Sequence, residues 1–438
     1  MSKPLVALVG RPNVGKSSLF NRLIRKQVAI VDDMPGVTRD RNYAETEWGG
    51  REFVLVDTGG YVSPSEEGVD GAVRDQARLA IEEADLVLFL VDAQVGLVDL
   101  DAEVARILRR GNRNCLLVVN KVDRMDQTAE CAPFYRLGLG DPTPVSALTG
   151  LNSGDLLDDL VALLPVSDGE EEADEDEIGI ALVGRPNVGK SSMLNKLVRE
   201  DRAVVNEVPG TTRDAIDSLF EYEGQRVRLI DTAGLHRRSR NEIGVGFYAL
   251  VRTLRALERC DVALVVLDAS EGIFEQDKRI VAQAIELGKG VVLVANKWDL
   301  VEKDTKTMKA YEDALRERMP FAQFAPTMFT SALTGQRVNK ALDIAIAVAE
   351  ERKKRIPTHA LNVFWENSQL GHAPPKTRGR DVRGLYVTQR RVAPPTFVFF
   401  FNRSEELPDS YLRFLERGLR ESFGFEGVPI RIETRGKK

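Results

Sequence analysis

Gly10, Arg11, Pro12, Asn13, Val14, Gly15, Lys16 and Ser17 spell GxxxxGK[ST], a spacing that can cradle a polyphosphate. The two glycines let backbone N–H groups close around phosphate oxygens. The lysine adds a point charge at the β- and γ-phosphates, and the serine hydroxyl can ligate Mg²⁺. The same octet returns as Gly184, Arg185, Pro186, Asn187, Val188, Gly189, Lys190 and Ser191, inside twelve residues (Ala7–Ser18 and Ala181–Ser192) that repeat without a change. A glycine-rich turn with an exposed lysine would account for one copy. Two identical copies, each behind an apolar run and ahead of further repeated motifs, indicate a tandem nucleotide-binding chain.

Downstream of each loop lie GVTRD (Gly36–Asp40) and GTTRD (Gly210–Asp214), which supply Thr38 and Thr212 as candidate second Mg²⁺ ligands. Asp57-Thr58-Gly59-Gly60 and Asp231-Thr232-Ala233-Gly234 follow, each closing an apolar run. A strand-terminal Asp can hold Mg²⁺ through water, and the glycine N–H can meet the γ-phosphate, so the segment responds to hydrolysis. The candidate metal set is therefore Ser17, Thr38 and Asp57 in one half and Ser191, Thr212 and Asp231 in the other. The base would be chosen by Asn120-Lys121-Val122-Asp123 and Asn296-Lys297-Trp298-Asp299. Their Asp can accept from guanine N1–H and the 2-amino group, donors that adenine does not present together. The Lys stem can cover the ring, and the Asn steadies the loop. Ser146-Ala147 and Ser331-Ala332 offer a backbone N–H to O6. Sites built for particular donors reject ligands lacking them, so the cofactors expected are GTP or GDP with Mg²⁺.

Such residues must be held by strand ends. Short apolar runs at Leu5–Val9, Phe53–Val56, Leu86–Val91 and Cys115–Val119 have counterparts at Ile178–Val183, Val227–Ile230, Val262–Leu267 and Val291–Ala295. Helical patterns such as Ala102–Arg109 and Lys278–Leu287 separate them. That alternation predicts an α/β fold with two doubly wound, mostly parallel sheets covered on both faces. Ser167–Glu177 is nearly all acidic, cannot bury a core and reads as a solvated tether. The expected organisation is a first nucleotide-binding domain over 1–166, an acidic linker over 167–177, a second domain over 178–355 and a small α+β domain over 356–438.

The last of these is expected to contain a helix near Leu361–Ser368, strands at Gly384–Gln389 and Thr396–Phe401, a helix at Asp409–Phe423 and a strand at Val428–Ile432. From Glu351 onward, 18 Lys and Arg stand against 10 Asp and Glu, whereas the whole chain carries a net charge of −6. A basic module on an acidic protein suggests a polyanion near that end. Lys376, Arg378, Arg380, Arg383, Arg390 and Arg391 are the candidate contacts. The Phe399–Phe401 run reads as strand core, and His236-Arg237-Arg238-Ser239-Arg240 as a mobile switch. Removal of residues 351–438 is expected to leave both nucleotide sites folded, since no nucleotide motif lies there. Cys115, Cys131 and Cys260 lack metal spacing and read as reduced thiols, with Cys115 and Cys260 packing in the core. No run is long enough for a membrane span and no signal peptide opens the chain, so a cytoplasmic location is expected.

With these motifs in order, the chain resembles the Ras-like GTPases of the translation-factor class, and more closely the bacterial double-GTPase family Der, also called EngA. The resemblance spans the whole chain: two G domains, an acidic linker and a KH-like C-terminal domain. It implies a monomeric GTPase acting in assembly of the large (50S) ribosomal subunit, with rRNA and ribosomal proteins as partners. Where Ras-like proteins carry a water-positioning Gln, this sequence has Tyr61 and Leu235, which predicts slow turnover. In related GTPases with GRPNVGKS-type loops the loop Asn helps hold a potassium ion that stabilises the developing charge, a role that falls to Asn13 and Asn187. Lys16, Lys190, Asn13, Asn187, Thr38 and Thr212 are thus the candidate catalytic residues. The only GxxG in the C-terminal domain, the sequence by which KH domains grip RNA backbone, is Gly424-Phe425-Glu426-Gly427, and Glu426 is unhelpful for phosphate. The alternative function is a nucleotide-gated scaffold on RNA with little turnover at one or both sites. A tRNA-modifying GTPase would need a cofactor domain for which the chain has no room.

Overall fold

Alternation within buried strands sets the architecture. The computed structural model describes residues 3–25, 43–58, 68–111, 114–165, 177–200, 206–209, 216–230, 245–302, 304, 306–375, 381–403 and 407–436. They fall into two compact units. The first is built from β1 (Leu5–Val9), α1 (Lys16–Arg25), β2 (Tyr43–Trp48), β3 (Arg51–Asp57), α2 (Gly68–Glu83), β4 (Leu86–Asp92), α3 (Asp99–Arg110), β5 (Asn114–Asn120), a 3₁₀ helix at Met125–Leu137, β6 (Thr143–Pro144) and α4 (Ser153–Leu163). Its six strands lie in the order β2-β3-β1-β4-β5-β6, parallel except for β2 against β3. Successive side chains of a strand face opposite ways. Leu5, Ala7, Val9, Val87, Phe89 and Val91 therefore join one core with α2, α3 and the 3₁₀ helix. Val6, Leu8, Leu86, Leu88 and Leu90 join another with Leu19, Phe20 and Leu23 of α1 and Leu156, Leu157 and Leu160 of α4.

The second unit repeats the plan with β7 (Glu177–Val183), α5 (Lys190–Glu200), β8 (Asn206–Pro209), β9 (Ile216–Tyr222), β10 (Gln225–Ile230), α6 (Val245–Arg259, in this unit from Thr253 onward), β11 (Val262–Asp268), α7 (Glu275–Glu286), β12 (Gly290–Asn296), α8 (Thr307–Arg318), β13 (Thr327–Phe329) and α9 (Val338–Arg352). The order β13-β12-β11-β7-β10-β9-β8 gains an extra antiparallel strand at the β8 edge. The antiparallel edges are absent from the sequence-based expectation. A continuous apolar run marks only strands buried on both faces, and Tyr43–Trp48 (YAETEW) is not one.

The chain ends in α10 (Thr358–Gly371), β14 (Gly384–Arg391), β15 (Thr396–Phe401), α11 (Asp409–Phe423) and β16 (Arg431–Gly436). The three strands form a separate sheet, β14 antiparallel and β16 parallel to the central β15. Trp365 of α10 packs edge-on against Phe399 and Phe401, at ring-centroid separations of 5.0 and 5.7 Å. Those two phenylalanines are core, as their alternation suggests, while Phe400 stacks on Tyr386 with centroids 4.2 Å apart.

The last strand starts at Arg431, three residues later than the sequence suggests. Val428 and Phe425 are fully buried in the junction with the second G domain instead. Gly427 N–H donates to Phe324 O (2.8 Å), Val291 N–H donates to Gly427 O (2.7 Å) and Phe425 N–H donates to Glu351 Oε2 (2.9 Å). The GxxG segment is thus consumed by the joint. One apolar cluster runs from Ile180, Leu264 and Val266 through Leu342, Ala345 and Val348 of α9 to Trp365, Phe397, Leu415 and Phe425. Among the described residues no helix is long and apolar enough to cross a membrane.

Candidate functional site

Each phosphate loop bridges a buried strand and a helix: β1 into α1, and β7 into α5. A Cβ at Gly10 would lie 2.4 Å from Leu90 O, and one at Gly184 equally close to Val266 O, so the loop can pass β4 and β11 only without side chains there. At Gly15 and Gly189 the obstruction would be the side-chain amide of Asn120 or Asn296, at 2.2 and 2.3 Å. Asn13 (φ 65°) and Asn187 (φ 63°) take the left-handed conformation that Asn tolerates better than most residues, and both are exposed, as are Pro12 and Pro186. Val14 and Val188 are buried and pin the loop to the core.

Lys16 Nζ donates to the carbonyls of Gly10 (2.6 Å) and Arg11 (2.9 Å), and Lys190 Nζ to those of Gly184 (2.8 Å) and Arg185 (2.6 Å). Burial lowers the pKa of Lys16 below the usual lysine range, against the pull of Asp57. Burial and the Arg185 guanidinium bring Lys190 down to about 8, with Asp277 opposing. An ammonium whose charge is poorly solvated gains strongly from a polyanion. Asp57, fully buried at the end of β3, accepts from Ser17 Oγ at 2.5 Å. Carboxylate and hydroxyl, forty residues apart, thus sit together as a hard-oxygen pair suited to Mg²⁺. Thr58 Oγ1 donates to Leu8 O (2.6 Å), anchoring the strand end. Ser191 is exposed at the start of α5. Thr38, Gly59, Gly60, Tyr61, Thr212, Asp231, Thr232, Ala233, Gly234 and Leu235 lie outside the described residues, as do 166–176, 236–240 and 376–380.

At the base end, one asparagine ties three segments together. Asn120 Nδ2 donates to Val14 O (2.7 Å) and its Oδ1 accepts from Ala147 N–H (2.9 Å). Asn296 repeats both bonds, to Val188 O (2.8 Å) and from Ala332 N–H (2.9 Å). Val122 is fully buried and Trp298 packs with Phe329 and Tyr311, so these two positions contribute backbone to the loop while their side chains serve the core. Asp123 accepts from Ser146 Oγ (2.6 Å). Asp299 differs: its Oδ1 is buried without a hydrogen-bond partner, and Ser331, the counterpart of Ser146, is buried as well. An acceptor hidden from water and left unmatched suits a ligand that brings a donor, as guanine does.

Sequence reasoning missed four buried carboxylates. Asp92 and Asp268, at the ends of β4 and β11, hold Lys121 Nζ and Lys297 Nζ at 2.5 Å. Burial alone would raise Asp268, but hydrogen bonds from Lys297 and Ser270 outweigh it and keep its pKa below the usual range. Asp101 and Asp277 pair with Arg11 and Arg185. The signal that could have found them is the repeat itself, since both pairs stand 176 positions apart.

The two sites and their sheets define a tandem P-loop nucleotide-binding protein of the GTPase class. A protein-family model described as "50S ribosome-binding GTPase" matches residues 5–121 and 179–297. Another, "KH-domain-like of EngA bacterial GTPase enzymes, C-terminal", matches 355–435. The chain is 52% identical over 438 residues to GTPase Der of Desulforamulus reducens and 53% identical over 438 residues to GTPase Der of Desulfitobacterium hafniense, covering 100% of this chain and 99% of each relative. It is 50% identical to GTPase Der of Clostridium novyi over the full length of both. The chain belongs to the Der (EngA) family of GTPases.

Proposed function

We propose that this GTPase is a slow, potassium-stimulated switch acting in maturation of the large ribosomal subunit in the cytoplasm, as a monomer whose two G domains (1–166 and 178–355) govern how the basic domain at 356–438 meets rRNA and ribosomal proteins. The observation that carries this reading is the pairing, twice in one chain, of a complete phosphate loop with a guanine-type base site, joined to a C-terminal segment, from Glu351 onward, carrying an excess of eight positive charges. Lys16 and Lys190 bind phosphate, and Asp123 and Asp299 select the base. Ser17 and Asp57, with Thr38, would hold Mg²⁺, as Ser191, Thr212 and Asp231 would in the second half. When bound, Mg²⁺ neutralises phosphate charge and orients the triphosphate. Tyr61 and Leu235 leave the attacking water without a side-chain amide to orient it, so intrinsic turnover is slow. Asn13 and Asn187, exposed on their loops, would ligate potassium.

Three measurements test this. Co-sedimentation with 50S particles should depend on whether GTP, GDP or neither is supplied, and nucleotide-independent binding would refute the switch. Hydrolysis should be several-fold faster in KCl than in NaCl at equal ionic strength, the response disappearing domain by domain in Asn13→Ala and Asn187→Ala. Equal rates in the two salts would remove potassium from the mechanism. Single-turnover measurements at each site separately, with no detectable hydrolysis at one of them, would favour a nucleotide-gated scaffold.

A further inference from the structure

The phosphate-loop arginines have no part in the chemistry above, yet both are tied down in the same way. Arg11 Nε donates to Asp101 Oδ1 at 3.2 Å, and Arg185 Nε to Asp277 Oδ1 and Oδ2 at 2.9 and 3.1 Å. Each aspartate is the third residue of its helix, α3 or α7, and is almost wholly buried, at 1% and 0% exposure. Each also accepts the N–H of the residue before the helix, from Val98 (3.4 Å) and Phe274 (3.0 Å). A carboxylate is costly to bury unless it is paired and hydrogen-bonded, so a site that spends two partners on it twice holds its geometry firmly. The surroundings of the two copies differ. Arg185 also meets Glu271 at 3.4 Å and lies 3.9 Å over the Phe274 ring. The arginine–aspartate pair persists through that change, which separates it from an incidental surface contact.

The arginine's own backbone is what touches the chemistry. The carbonyls of Gly10 and Arg11, and of Gly184 and Arg185, are the acceptors of the phosphate-binding lysine. A line of support therefore runs from the helix start through the carboxylate and guanidinium to the loop carbonyls and the ammonium. We propose that Asp101 and Asp277 are positioning residues of the two GTPase sites: each clamps the loop arginine so that the carbonyls beside it aim the lysine at the phosphates. The guanidinium is a strut in this arrangement, held through Nε by the carboxylate in both sites, while Arg11 Nη2 is buried without a hydrogen-bond partner.

The test uses the full chain with the first site silenced by Lys16→Ala, so that only the second turns over. Asp277→Ala should raise the KM for GTP about tenfold, the scale of one lost charge-assisted hydrogen bond, with a smaller fall in kcat. Asp277→Asn, which keeps an acceptor for Nε, should recover most of that loss. Arg185→Ala leaves the helix cap intact and guards against misfolding of the first variant. It should raise KM to a similar extent, and the double variant should be no worse than either single one, because both break the same strut. Three outcomes would overturn the proposal. One is an unchanged KM with fewer active sites in Asp277→Ala, the mark of a purely structural residue. Another is additive losses in the double variant. The third is a fall in kcat alone in Arg185→Ala, which would make the guanidinium a transition-state group.

Discussion

Among the described residues, the hydrogen bonds of the Lys16 and Lys190 ammonium groups go to the carbonyls of their own loops. Lys16→Ala and Lys190→Ala should therefore each abolish turnover in one half and leave about half of the multiple-turnover GTPase signal if the sites contribute equally. Loss of both activities in either single variant would instead reveal tight coupling. Asp123→Asn and Asp299→Asn should weaken GTP binding and favour xanthosine triphosphate, since the amide donates to the xanthine 2-oxygen where the carboxylate accepted the guanine amine. Competition binding with both nucleotides reads the change, and undiminished GTP affinity would put the base elsewhere. The motif residues were legible in the sequence because backbone crowding around phosphate admits glycine and little else. Asp92, Asp101, Asp268 and Asp277 were not, because their partners are between 29 and 92 positions away, and an isolated Asp at a strand end (Asp92, Asp268) or in a helical pattern (Asp101, Asp277) reads as solvated surface.

At the scale of elements, the strands buried on both faces were readable as apolar runs, and the amphipathic or two-residue ones (β2, β6, β9) were not. The C-terminal sheet offers a sharp test of packing. A Cβ at Gly384 would meet Trp365 Cζ2 at 1.9 Å, so Gly384→Ala must push α10 away from β14. Overpacking of this kind costs about 1–3 kcal/mol, and thermal unfolding of the second unit should move down accordingly. An unchanged midpoint would mean the ring slides aside freely. The thiols report on two other cores, Cys115 on one in the first unit and Cys260 on one in the second. Burial pushes Cys115 and Cys260 up to about 12, so almost no thiolate forms at pH 8 and both should resist a thiol reagent until the protein is denatured. Prompt modification of either in the native protein would contradict the packing around β5 and α6.

For the whole molecule, the joint bears on the expectation that removing residues 351–438 leaves both nucleotide sites folded, because that segment shares an apolar core with the second G domain. The cluster that lines one face of the second G domain continues into α10, α11 and the C-terminal sheet. Arg352, at the end of α9, pairs with Asp261 at 2.7 Å and donates to Gly288 O. Sequence motifs could not reveal this, because a nucleotide motif records what touches the ligand and carries no mark of which domain covers a distant helix. Truncation before Glu351 should leave first-site hydrolysis intact while lowering the unfolding temperature of the second unit, with reduced and less salt-sensitive retention on ribosomal particles. Full second-site stability after truncation would mean the two cores are separable.

The bond from Val291 N–H to Gly427 O has a use beyond holding the joint closed. It makes the start of strand β12 an internal clock for docking, since that amide stays shielded from deuterium only while the C-terminal domain is seated. A peptide spanning Val291 would therefore reveal, by the rate at which it takes up label, whether loading the second site with one nucleotide or the other loosens the seat, without any probe attached to the protein.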